Sequence, residues 1–114
     1  MMEEEARALI FLGFLGFVFI IYYSTMYPSL AGGDSGELLT TVCTGGVAHP
    51  PGYPTWTALG IAWNTLLSYF TPEKSVAWRV NFLSVVLGTG AAALLARAAA
   101  AVAEACGGGG GGGG

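Results

Sequence analysis

The side chains able to do chemistry gather in one short stretch. Asp34-Ser35-Gly36-Glu37 is followed, twelve residues after Glu37, by His49, the single histidine of the chain. Asp34 and Glu37 are three positions apart, so in a helix that begins here both carboxylates lie on the same side of the first turn. One could accept a proton while the other orients it. Above the low-dielectric slab of a membrane a carboxylate is pushed toward the range where it takes a proton from a hydroxyl nucleophile. Helix capping accounts for the same residues in another way. Asp34 is a good N-cap, Glu37 occupies the acidic position of a capping box, and Gly45 is a natural stop. The spacing predicts a short helix from about Ser35 to Thr44. His49 stands ahead of Pro50 and Pro51, where a locally hydrogen-bonded turn residue is the plainer reading. The prolines of His49-Pro-Pro-Gly-Tyr-Pro54 fix several φ angles and shape the loop.

Other chemistries fit less well. Gly33-Asp-Ser-Gly36 matches a serine-peptidase nucleophile motif, but that architecture needs a β-rich domain with His and Asp supplied from elsewhere. A Ser35-His49 intramembrane hydrolase would be a motif match without its structural context. Asp34, Glu37 and His49 have ligand types suited to a divalent cation but no recognised spacing, so no metal is expected. Cys43 and Cys106 lie far apart with no C-x-x-C, which supports neither a disulfide framework nor a cysteine metal site. Net charge is -3 and the basic residues are Arg7, Lys74, Arg79 and Arg97 alone. That leaves no cationic stripe for phosphates, and nucleic-acid binding is excluded.

The elements that must position the loop follow from where charge is missing. The 114 residues are 54% hydrophobic and 10% charged, against about 25% charged in soluble proteins, which points to a bilayer as solvent. Residues 8 to 27 are apolar all round and long enough to span, with Tyr22, Tyr23 and Tyr27 suited to an aromatic belt. Residues 53 to 70, with Trp56, Trp63 and Tyr69 and a stop at Thr71-Pro72, read as a second span. Residues 80 to 97, rich in Gly and Ala, read as a third. The expectation is an all-α membrane protein of three transmembrane helices plus a short luminal loop helix. Residues 1 to 7 and 71 to 79 would be cytoplasmic, because Arg7, Lys74 and Arg79 outnumber the basic residues of the 28-to-52 loop, which has none. Arg97 would emerge on the luminal side. From Ala98 to Gly114 the composition reduces to Ala and then Gly, a low-complexity tail. A cleaved signal peptide is the rival for the first segment, since Ser29-Leu30-Ala31 has suitable small residues, but the acidic MMEEEAR start argues against it.

The order of an N-terminal span, then GGDSGELLTTVCTGGVAHPPGYPTW, then WRVNFLSVVLGTGAAALL resembles the start of the transmembrane protein 260 type of protein O-mannosyltransferase, within the C-type glycosyltransferase superfamily. The resemblance covers roughly Tyr27 to Leu95, and GDSGE paired with HPPGYP at this distance is more specific than either alone. It implies a multi-pass enzyme of the endoplasmic reticulum membrane, of which this chain would be an N-terminal fragment. It implies a polyprenyl-phosphate sugar such as dolichyl-phosphate mannose as donor substrate, an acceptor protein, membrane lipid around the spans, and no cofactor. It further implies that Asp34, with Glu37 in support, is catalytic, and that His49 and Tyr53 bind substrate. An acid in the first luminal loop would deprotonate or orient a Ser or Thr hydroxyl as it attacks the sugar C1. The departing phosphate would want a cation, for which Arg97 is the luminal candidate, although snorkelling at the interface explains it as well. The alternative is a small non-catalytic three-span membrane protein whose loop acids serve only as helix caps.

Overall fold

The computed structural model describes residues 2 to 108, so Gly109 to Gly114 of the expected low-complexity tail lie outside the described residues. Four helices and no strand are present among them: α1 Met2–Thr25, α2 Ser35–Thr44, α3 Pro54–Phe70 and α4 Val76–Gly107. The chain divides into two compact units, one made of Met1–Tyr22 with Val86–Gly114, the other of Tyr23–Val85.

In the first unit α1 buries none of its residues. Leu9, Ile10, Leu12, Phe17 and Ile20 all stand exposed, as expected of a helix whose apolar surface is matched to lipid rather than to a protein core. Its partner is the C-terminal part of α4, and the two run antiparallel. Arg7 Nη1 meets Glu104 Oε1 at 3.0 Å, Arg97 lies 5.9 Å from the centre of the Phe11 ring, and Gly88 faces Tyr22. A Cβ on Gly88 would stand 3.0 Å from the Tyr22 ring, so the small residue permits close approach here. The helix of α4 does not stop near residue 97; it runs on through the Ala-rich stretch to Gly107. Alanine has the highest helix propensity, so a run that buries nothing still stays helical.

The second unit holds the short helix and its supports. A core of Leu39 and Val42 from α2 and Val80 from α4 is flanked by Trp56, Ile61, Val76 and Ala77. Gly60 of α3 lets α2 come close, since a Cβ there would lie 2.7 Å from Val42 Cγ2. Trp78 stacks on Phe82 with centroids 5.3 Å apart, and Trp63 and Tyr23 approach the same ring. The Asn81 amide donates to Tyr27 O at 2.8 Å and Ser29 O at 2.9 Å, pinning the chain that follows α1.

Two of the four helices, α1 and α4, are long and apolar enough to cross a membrane. The expected three spans are thereby corrected to two. The middle segment does form a helix, but α3 has 17 residues, about 25 Å at ~1.5 Å per residue, short of a hydrocarbon core of about 30 Å. One side of it is taken up by protein: Thr57 and Gly60 are buried. With α1 and α4 antiparallel, Arg97 stands at the same end of the pair as Arg7. Arg79, counted as a loop charge, lies inside α4 and is buried.

Candidate functional site

The site is built on the N-terminal turn of α2 and the loop that leads into α3. The helix occupies Ser35–Thr44, as the spacing suggested, and Gly45 ends it in the left-handed conformation at φ 68° with its N–H on Thr41 O. A non-glycine residue would carry a steric penalty there. The start differs from the capping expectation. Asp34 sits at the N-cap position with helical angles, φ -73° and ψ -3°, and its side chain makes no capping hydrogen bond. Its carbonyl accepts from Leu38 N–H at 3.0 Å, while the residue itself is exposed.

Glu37 does not turn back to the helix start as a capping box would require. It reaches across the loop instead: the His49 backbone N–H donates to Oε1 at 2.6 Å, and His49 Nδ1 lies 2.9 Å from Oε2. Both carboxylate oxygens are engaged by one residue twelve positions away. The backbone hydrogen bond from His49, then the side-chain one, hold the Glu37 carboxyl below its ordinary value of 4.5, against a smaller opposing effect of burial.

His49 is fixed from other directions as well. Its carbonyl accepts from Gly52 N–H at 2.7 Å, closing a turn through the prolines. Its ring meets Tyr53 edge to face, with centroids 5.4 Å apart and planes at 74°. Tyr53 adopts φ 46° and ψ 53°, a left-handed conformation unusual for a bulky residue, and Pro54 begins α3. Gly46, Val47, Pro51, Gly52, Pro54, Thr57, Ala58 and Ile61 line a largely apolar cavity of about 330 Å³. Thr57 Oγ1 is buried without a hydrogen-bond partner among the described residues.

Glu37, His49 and Tyr53 are thus brought together. Asp34 is one helical turn from Glu37 but shares no hydrogen bond with the trio. Among the described residues no group of three His, Cys, Asp or Glu side chains is placed to hold a metal ion. Cys43 and Cys106 are free and exposed.

Sequence reasoning missed a second polar cluster. Buried Arg79 donates to Asn64 Oδ1 at 3.2 Å, to Thr71 O at 2.9 Å and, at 3.4 Å, to Thr71 Oγ1, while Trp63 Nε1 donates to the Arg79 carbonyl at 2.7 Å. The signal was present: Asn64 is the one amide side chain in α3, and Arg79 follows on the next helix. Ser75 supplies the cap of α4, accepting from Trp78 N–H at 3.1 Å.

The described residues are all-helical where regular, with two helices long and apolar enough to cross a bilayer and, between them in sequence, a loop in which an acid holds an imidazole. Residues 34–107 match the protein O-mannosyl-transferase TMEM260 N-terminal domain, and the chain belongs to that family. It is 47% identical over 75 residues to protein O-mannosyl-transferase tmem260 of Dictyostelium discoideum, covering 64% of this chain and 9% of the relative. It is 49% identical over 74 residues to protein O-mannosyl-transferase TMEM260 of Mus musculus, covering 65% of this chain and 10% of the relative. The chain therefore spans about a tenth of the curated relatives it matches. No solved structure matches it.

Proposed function

We propose that the chain forms the N-terminal part of a multi-pass glycosyltransferase of the endoplasmic reticulum membrane, one that moves a sugar, mannose, from a polyprenyl phosphate to a protein Ser or Thr hydroxyl. The names of its relatives support the reaction class. The observation that carries the assignment to this loop is the Asp34 carboxylate: exposed at the start of α2 and making no capping bond. A carboxylate so placed is available to accept a proton.

In this reading α1 and α4 both cross the bilayer and the loop between them is luminal, as the family resemblance implies. Asp34 takes the proton of the acceptor hydroxyl as its oxygen bonds to the sugar C1, and the bond from C1 to the phosphate oxygen breaks. Glu37 supports the loop, and His49 and Tyr53 contact substrate. The alternative, in which both acids only cap α2, predicts side-chain bonds to the first N–H groups of the helix; Asp34 makes none and Glu37 spends both oxygens on His49.

The test is Asp34→Asn in a full-length protein that contains this chain. Asn is as good an N-cap as Asp, so a purely capping residue would leave transfer unchanged. Loss of a general base costs roughly 100-fold or more in rate. Full transfer by the variant at normal expression would overturn the assignment.

A further inference from the structure

Glu37 and His49 carry more information than a contact between loop and helix. We propose that Glu37 is a positioning residue that holds His49 with its proton on Nδ1, leaving Nε2 as a bare hydrogen-bond acceptor for a hydroxyl of the substrate. This rests on the reading above for the identity of the substrate, and on geometry for the rest.

An ionised carboxylate has no proton to give, so the 2.9 Å contact between Oε2 and Nδ1 requires an N–H on Nδ1. The second carboxylate oxygen is occupied by the His49 N–H at 2.6 Å, so the carboxylate cannot swing away without releasing the backbone too. The hydrogen bond at one ring nitrogen decides which nitrogen carries the proton. A neutral imidazole with Nδ1–H has a lone pair at Nε2. The perpendicular contact with the Tyr53 ring and the turn closed by Gly52 restrict where that lone pair points. Nε2 makes no hydrogen bond within the described residues, and the side chain that carries it is 40% exposed. An acceptor without a donor of its own selects hydroxyl and N–H groups over carbonyls and phosphate oxygens. That chemistry suits the hydroxyl-bearing end of a sugar or of Ser and Thr, and it disfavours the phosphate of the donor.

Glu37→Gln separates positioning from simple latching. Gln can still accept the His49 N–H through its oxygen, but its amide can only donate to Nδ1. The latch survives with the ring proton moved to Nε2, which inverts the group offered to the ligand. In a Ser-His-Asp triad the equivalent exchange of carboxylate for amide costs about 10⁴-fold in kcat because the imidazole takes the wrong tautomer. Here the ring binds rather than moves the reacting proton. A rise of roughly tenfold in KM is expected, the scale for losing a partner that orients an imidazole.

The experiment has two arms. His49 is the single histidine, so ¹⁵N-histidine labelling of this chain in micelles reports one ring, at a pH of about 8.5 where an ordinary imidazole is neutral. The expected spectrum shows a protonated Nδ1 and a bare Nε2 in the wild type, reversed in Glu37→Gln. A bare Nδ1, or two protonated nitrogens, in the wild type overturns the proposal whatever any transfer assay shows. The second arm measures sugar transfer in a full-length protein containing this chain. Glu37→Gln should raise KM for donor or acceptor with little change in kcat, whereas Asp34→Asn should lower kcat. An inverted tautomer with unchanged KM for both substrates removes the acceptor role of Nε2. Failure of the wild-type protein to transfer sugar sinks the proposed function and leaves the tautomer result standing.

Discussion

Replacing Gly60 by alanine sets two known effects against each other. Gly to Ala inside a helix gains about 1 kcal/mol from backbone entropy and propensity. Against it, the new methyl would lie 2.7 Å from Val42 Cγ2 and 3.9 Å from Trp56 Cζ3. Relief by rotating Val42 is unavailable, because a β-branched residue in a helix keeps one χ1 rotamer. Val42 is also 4% exposed and wedged into the core with Leu39 and Val80. The remaining escape is to move α2 and α3 apart by roughly 1 Å, and overpacking of this kind costs about 1 to 3 kcal/mol. The net expectation for Gly60→Ala is a loss of about 1 kcal/mol. Val42→Ala alone removes two methyl groups at ~0.8 kcal/mol each and leaves part of a cavity, a loss of about 2 kcal/mol. In the double variant the methyl added at position 60 enters the space that Cγ2 vacated, so it should be at least ~1 kcal/mol more stable than additivity allows. Unfolding in mixed micelles, followed through tryptophan fluorescence, measures all four corners of this cycle. A Gly60→Ala variant more stable than wild type, or strict additivity, would refute the claim that this glycine exists for helix contact.

Because Glu37 has a lowered folded pKa, its contribution to loop stability is present above 4.5 and is lost as pH falls through the folded value. The 46-to-53 loop should become accessible to acid-active protease below that range in the wild type but show no such transition in Glu37→Gln. Trp63→Phe keeps an aromatic ring and removes the bond to the Arg79 carbonyl, which should cost about 1 kcal/mol in the same unfolding assay. Arg7→Ala should cost well under 1 kcal/mol, an effect that vanishes at high salt, since both partners of the Glu104 pair are mostly exposed.

What the sequence revealed was local, and what it hid was set by packing. The end of α2 was legible because Gly45 supplies the left-handed stop, whereas Asp34 marks the start without making the capping bond that the spacing suggested. The destination of Glu37 was not legible, because a capping position and a long-range partner look identical until the loop is folded back. Charge-free length identified both long helices but overcounted the spans: α3 is charge-free yet has 17 residues, and the absence of charge does not by itself give a helix the length to cross a bilayer. The sign of Arg79 was read correctly and its place was not, since a guanidinium satisfied by Asn64 and Thr71 can be buried where an unpartnered one could not. The family was legible because GDSGE and HPPGYP occur together at a fixed distance.

The left-handed backbone at Tyr53 also constrains how this chain can diverge. Glycine is the residue that φ 46° favours, and Val or Ile would be close to barred, since a branched Cβ meets its own backbone there. Asn would be tolerated by the backbone, yet it carries no aromatic edge to meet the His49 ring. The side chain and the main chain therefore draw position 53 toward different residues. Natural variation at this site becomes diagnostic: drift to Gly or Asn signals that the ring contact has become dispensable, while persistence of an aromatic despite the strain marks a lineage that still uses it.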